Sequence, residues 1–157
     1  MKATSPERPS NSSERFELGK RGELLAVAYL RQAGYQLVAS NFTVPVGRSR
    51  NGALISAEID VIAYDGPVLT FVEVKTRASD WFAAPAVNVD LRKQRQIIRA
   101  ARAYRRIFGL GEADYRYDVL SVVLPSSEQA AYDPEIKLLR NFWSEERFRK
   151  RRFVEIN

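Results

Sequence analysis

The stretch Ala57–Arg77, A-E-I-D-V-I-A-Y-D-G-P-V-L-T-F-V-E-V-K-T-R, constrains the fold of this chain more than any other. Its flanks are rich in Val, Ile, Phe and Tyr, which suit strands. Asp65-Gly66 between them is a hairpin signal, because Gly takes positive φ freely and Asp tolerates it. Two strands joined by a tight turn are expected. Side chains alternate between faces along a strand, so Ile59 and Val61 should point one way and Glu58 and Asp60 the other. In the second strand Val72 and Val74 oppose Phe71, Glu73 and Lys75. A two-residue loop at Asp65-Gly66 pairs Ala63 with Val68, Asp60 with Phe71 and Glu58 with Glu73. Glu58, Asp60, Glu73 and Lys75 then share a face. Directly opposed like charges destabilise a sheet, so such a cluster needs a compensating cation. Lys75 can supply part of that charge and a divalent metal ion the rest. The clustering depends on register, since a slip of one residue would disperse it.

The residue inventory narrows the chemistry further. The chain has 157 residues, with no Cys and no His. That length suits one domain with a respectable core. Disulfides, thiolate sites, His-ligated zinc and His-dependent nucleophilic catalysis are all excluded. Carboxylates and carbonyls remain as metal ligands, and they suit hard ions such as Mg²⁺ or Mn²⁺. No apolar run is long enough to span a membrane, and the polar N-terminus lacks the apolar core of a signal peptide. A cytoplasmic protein is therefore expected. A net charge of +6 favours a polyanionic partner such as nucleic acid, although a merely soluble basic protein accounts for the charge equally well.

Along the chain, Met1–Ser13 reads as a disordered tail. Residues 14–33 read as a helix with Leu18, Leu25, Val27, Ala28 and Leu30 on its apolar stripe and Gly34 as its stop. Gly22 inside this run costs about 1 kcal/mol against Ala, which invites a reason such as close packing. Tyr35–Val44 reads as a strand. Pro45–Ser56 reads as a basic loop whose Arg48 and Arg50 could reach a phosphate backbone. Beyond Arg77, also a candidate phosphate contact, Trp81 and Phe82 could stack on bases or pack a loop onto the core.

Asp90–Phe108 is the clearest helix, capped by Asp90, with Ile97, Ala101, Tyr104 and Phe108 on its buried stripe. Arg92, Lys93, Arg95, Arg99, Arg102, Arg105 and Arg106 cover the remainder, and no acid falls between Leu91 and Arg106. A one-sign helix forgoes i,i+4 pairs, which argues for an anionic partner. Tyr115–Leu124 reads as a strand, and Asp118 on it as a salt-bridge partner or a distant support for the site. Tyr132–Leu139 reads as a weaker strand. Residues 144–157 form a basic tail or terminal helix. The element order implies a mixed sheet flanked by helices in one α/β domain over residues 14–143.

Asp60 and Glu73 suit Mg²⁺, which takes one or two carboxylates and keeps several waters. The Val74 carbonyl could add a ligand, and Lys75 could orient the attacking water or stabilise transition-state charge. An exposed Glu–Lys pair on a strand, worth roughly 0–1 kcal/mol, would leave the neighbouring acids unexplained.

The run G-K-R-G-E ending at Glu23, Asn41-Phe42, E-I-D-V-I-A, F-V-E-V-K-T-R, Lys93 and Y-D-V at Tyr117–Val119 together resemble the YraN family of small bacterial proteins. The resemblance covers roughly residues 19–142. It implies the PD-(D/E)XK restriction-endonuclease-like fold and similarity to archaeal Holliday-junction resolvases. It matches Asp60, Glu73 and Lys75 to the nuclease motif, and Glu23 to a helix-borne acid that serves as an additional metal ligand. Resolvase-like relatives work as dimers, so a homodimer is implied as well. Two positions depart from the pattern: Ile59 stands where a proline is expected, and Ala57 where glycine is usual. A Mg²⁺-dependent nuclease acting on DNA, with branched intermediates as an analogy, is the leading expectation. A non-catalytic nucleic-acid-binding module and a basic scaffold for an acidic protein are the alternatives.

Overall fold

The computed structural model describes residues 11–78, 87–125 and 132–149. Trp81 and Phe82, most of the N-terminal tail and the last basic residues lie outside these. Helix α1 spans Asn11–Gln32. Strands β1 (Gln36–Arg48), β2 (Leu54–Asp65) and β3 (Val68–Ala78) follow, then α2 (Leu91–Ile107), β4 (Tyr115–Leu124), β5 (Glu135–Trp143) and a 3₁₀ turn at Glu145–Phe148. The strands form a single five-stranded sheet in the order β1-β2-β3-β4-β5. Only β3 and β4 run parallel. Parallel neighbours need a crossover, and α2 lies in the connection between them. The described residues are thus α/β, with a mixed sheet and two α-helices. Among the described residues no helix is long and apolar enough to cross a membrane.

Each helix buries its apolar stripe on a different core. Ile97, Ala101 and Tyr104 of α2 pack with Ile59, Phe71 and Tyr117. Ala26 and Leu30 of α1 pack with Val61, Val72 and Leu120. Two expected core positions are exposed instead. Ala28 faces outward while Ala26 is buried, because the approach of α1 is set by Gly22, Ala26 and Leu30 at i, i+4 and i+8. Phe108 is the C-cap of α2 and largely exposed, its ring resting against Tyr104 at 4.6 Å.

Gly22 has a packing reason. A Cβ built there would lie 1.8 Å from Thr76 Oγ1 and 2.7 Å from Thr76 Cβ on β3. Rotating Thr76 cannot relieve the second contact, so α1 itself would have to move. Gly22→Ala should therefore lower stability by about 1–3 kcal/mol through overpacking, despite the better helix propensity of Ala. A denaturant melt checks this, and an unchanged midpoint would refute the close approach.

The basic loop expected over Pro45–Ser56 is largely strand. β1 continues to Arg48 and β2 begins at Leu54, leaving a short turn between them. Pro45 is compatible because β1 is an edge strand, where a missing N–H does least harm. The hairpin register also differs from expectation. Asp65 pairs with Val68, Ile62 with Phe71 and Val61 with Val72, so Gly66-Pro67 rather than Asp65-Gly66 makes the loop. Gly66 has φ +58°, and Gly at the first central position suits a II′ turn. Were the loop one residue earlier, Pro67 would flank it and have no N–H to close it. A shift of two residues preserves faces within the paired part of the hairpin, but Glu58 lies beyond that part and does not join Glu73: it meets Asn41, which also holds Glu23 of α1, whereas Glu73 meets Lys93 of α2.

Candidate active site

The β2–β3 ladder ends at Val61–Val72, and Asp60 is where it stops. The Asp60 carboxylate accepts a hydrogen bond from the Val74 backbone N–H at 2.8 Å. A side chain has taken the place of a ladder carbonyl. Strict alternation also fails here, contrary to expectation. Ile59 belongs to the α2-side core and Val61 to the α1-side core. Across β1, Asn41 lies between the pairs Ser40–Val61 and Phe42–Ile59 and has φ +51°. Asn is one of the few residues that accept this left-handed conformation. Both strands thus bend together around Asp60.

On β3, Glu73 is 4% exposed. Its Oε1 lies 3.4 Å from Lys75 Nζ and its Oε2 lies 3.5 Å from Lys93 Nζ of α2. Oε2 is nevertheless buried without a hydrogen-bond partner. Asp60 and Glu73 are neighbours, near enough for the charge of Glu73 to act on the Asp60 carboxyl. Burial, then the charge of Glu73, pushes the Asp60 carboxyl up to about 7, against the opposing pull of the Val74 N–H and Lys93. Two carboxylates forced together in a dry setting do not readily ionise together. The structure therefore assembles Asp60, Glu73 and Lys75, and adds Lys93 to them.

The other two acids group differently. The Asn41 amide donates to Glu23 Oε2 at 3.2 Å and to Glu58 Oε1 at 3.0 Å. Among the described residues no three acidic side chains gather closely enough to hold one metal ion. Glu23 also lines a cavity of about 430 Å³ between α1 and β3, together with Arg15, Leu18, Gly19 and Lys75.

Much of the basic face is engaged within the protein. Arg48 donates to the Gly52 carbonyl at 2.8 Å and Arg99 to the Val46 carbonyl at 2.5 Å. Arg95 lies over the Phe148 ring, with its guanidinium carbon 5.3 Å from the centroid. Arg50 and Arg92 are exposed, and Arg77 is partly buried on β3.

Sequence reasoning missed Glu145 altogether. It sits in the 3₁₀ turn, 7% exposed, and accepts from Arg102 at 2.6 and 2.8 Å, from Arg105 at 3.3 Å and from Tyr117 Oη at 2.7 Å. Burial alone would raise its pKa, but the hydrogen bonds from Arg102 and Tyr117 outweigh this and hold it below the usual carboxylate range. The absence of acids on α2 itself therefore does not leave all of its cations without counter-charge: Glu73 on β3 meets Lys93, and Glu145 in the C-terminal turn meets Arg102 and Arg105. Nothing in the local run S-E-E-R-F distinguishes a buried acid from a surface one. Asp118 proves to be a salt-bridge partner. It is fully buried, bound by Arg116 Nε at 2.9 Å and by the Asn141 N–H at 2.8 Å.

Comparison with known proteins agrees with the motif pattern. Residues 22–122 match the model of the uncharacterised protein family UPF0102. A UPF0102 protein of Chlorobium chlorochromatii is 43% identical over 122 residues, covering 78% of this chain and 84% of the relative. One from Alkaliphilus metalliredigens is 36% identical over 115 residues, covering 73% and 92%. One from Geobacter sulfurreducens is 40% identical over 111 residues, covering 71% and 79%. The matched span runs from Gly22, where α1 touches β3, through the bent hairpin and both lysines to β4; the chain belongs to the UPF0102, or YraN-like, family.

Proposed function

We propose that this chain is a metal-dependent endonuclease that hydrolyses DNA at the Asp60–Glu73–Lys75 site. The observation that carries this reading is the acid pair, in which buried Glu73 keeps an oxygen without a hydrogen bond and half-buried Asp60 is pushed to about 7. Such a pair is costly unless a cation offsets it, and its hard oxygen donors suit Mg²⁺ or Mn²⁺. Asp60 and Glu73 would hold the ion. The Val74 carbonyl is the third candidate ligand, since in an extended strand it points the same way as the N–H that meets Asp60. A bound ion supplies charge to offset the phosphate and lowers the pKa of a bound water.

The chain's own groups do the rest. Lys75, held 3.4 Å from Glu73 and 36% exposed, directs an ammonium from the acid pair toward solvent. It orients the attacking water and stabilises charge developing on the phosphate. Lys93 fixes the other side of Glu73. Exposed Arg50 and Arg92 contribute to holding the DNA backbone. Two carboxylates and a lysine on adjacent strands of a mixed sheet also support placement with the restriction-endonuclease-like fold and its resolvase relatives.

A non-catalytic nucleic-acid-binding role draws on a different observation, that no three acids converge among the described residues. A cleavage panel on duplex, single-stranded, flap and four-way DNA with Mg²⁺ or Mn²⁺ separates the two. Wild type should cut at least one substrate. Asp60→Asn and Lys75→Met should lose on the order of 10²-fold or more in rate while retaining binding. If wild type binds DNA but cuts none of the four, the binding role holds and the nuclease reading fails.

A further inference from the structure

We infer that the cavity between α1 and β3 receives one unpaired nucleotide beside the bond to be cut, so that the substrate is a strand locally free of its partner. This rests on the nuclease reading and specifies its substrate. The cavity opens where two positions of α1 on the side of β3, Gly19 and Gly22, carry no side chain. Gly22 lets the helix touch Thr76, whereas a Cβ at Gly19, one turn earlier, would meet nothing within 4 Å. Gly19 weakens the helix without the packing reason that accounts for Gly22. Its effect is to keep a space open.

That space adjoins the chemistry. Lys75 is an ion-pair partner of Glu73 at 3.4 Å and also forms part of the cavity wall. Whatever occupies the cavity thus lies one side chain from the acid pair. A volume of about 430 Å³ falls within the range of small-molecule sites, roughly 300–1,000 Å³. It suits a single nucleotide and is far too small for a double helix. The lining offers what a nucleotide requires. Arg15 and Lys75 are cations for phosphate, Leu18 and the bare Gly19 backbone form an apolar wall for a base, and the Glu23 carboxylate accepts from base N–H groups. Those groups are occupied in a base pair. A paired nucleotide would first have to leave the stack, at a cost that weakens its binding on the order of 10²-fold. A nucleotide in a flap, gap, junction arm or single strand avoids that cost.

The test uses the full-length protein in EDTA and fluorescence anisotropy on two DNAs of equal length, one fully paired and one carrying a short flap. Wild type should bind the flapped DNA at least tenfold more tightly. Gly19→Met, which projects a side chain into the space, should abolish the preference, leave duplex affinity unchanged and match or exceed the wild-type melting temperature. Arg15→Gln, on an exposed residue, should reduce the preference severalfold without affecting the fold. Equal wild-type affinity for the two DNAs, or a preference that survives Gly19→Met, overturns the inference. The two readings can fail separately. Cutting of duplex and flap alike, untouched by Gly19→Met, leaves the nuclease without the nucleotide pocket. A Gly19-sensitive preference in a protein that cuts nothing leaves the pocket without the nuclease.

Discussion

Asp60→Asn should melt at a higher temperature than wild type at pH 8 in EDTA, with the advantage gone near pH 4. The Asp60 carboxyl is pushed from 3.8 in an unfolded chain to about 7 by burial and by Glu73. A carboxyl with a raised folded pKa carries its full stability only below the unfolded pKa, and that stability is lost as pH rises through the folded one. The window therefore runs from about pH 4 to about pH 7. At roughly 1.4 kcal/mol per pH unit, the ionised Asp60 costs the folded protein up to roughly 4 kcal/mol at pH 8. Asparagine keeps an oxygen to accept the Val74 N–H and carries no charge. Thermal melts of both proteins across this range check the result. Saturating Mg²⁺ should raise the melting point of wild type at pH 8 and that of Asp60→Asn much less, because an ion that binds only the folded state adds about 2.7 kcal/mol at one hundred times its Kd. Parallel pH profiles for the two proteins would mean that the acid pair is not under the stated strain.

Glu145→Ala should cost about 3–5 kcal/mol, the usual result of removing one partner of a buried ion pair. Arg105 and the Tyr117 hydroxyl would lose their acceptor; Arg102, about half exposed, would turn to water and lose less. The pH dependence has the opposite sign from that of Asp60. The Glu145 carboxyl lies below its ordinary 4.5 in the folded chain, so its stabilisation is present above that value and lost as pH falls through the folded pKa. Wild type in EDTA should therefore be most stable in mildly acidic solution. Glu145→Gln, which can still accept from Tyr117, should lie between wild type and alanine. A urea titration of the three proteins at pH 7 measures this, and a midpoint for alanine equal to wild type would show that the 3₁₀ turn does not anchor the chain.

The hairpin and both helices were legible in the sequence, because each rests on local rules. Alternation and turn residues mark strands, periodicity and the Asp90 cap mark α2, and Gly22 announces a close approach before its partner is known. Where local rules competed, the reading slipped. At the turn the Asp-Gly signal lost to the missing N–H of Pro67. At Asp60 strict alternation lost to a bend shared with Asn41, roughly 60 Å of extended chain away along the sequence.

The counter-charges were beyond any local reading. Nothing around Lys93 tells that it pairs with Glu73, and nothing around Glu145 tells that three residues on α2 and β4 close over it. The one-sign surface of α2 read as an appeal to an outside anion, whereas much of it is answered within the molecule. The sequence by itself determined which segments are helix and strand and which residue types can do chemistry, since backbone sterics and side-chain periodicity act over a few residues. Tertiary structure alone decided which charges meet, how deeply Glu73 is buried and where α1 leaves a space. Those depend on segments far apart in the chain arriving at the same place, and on the water they exclude when they do.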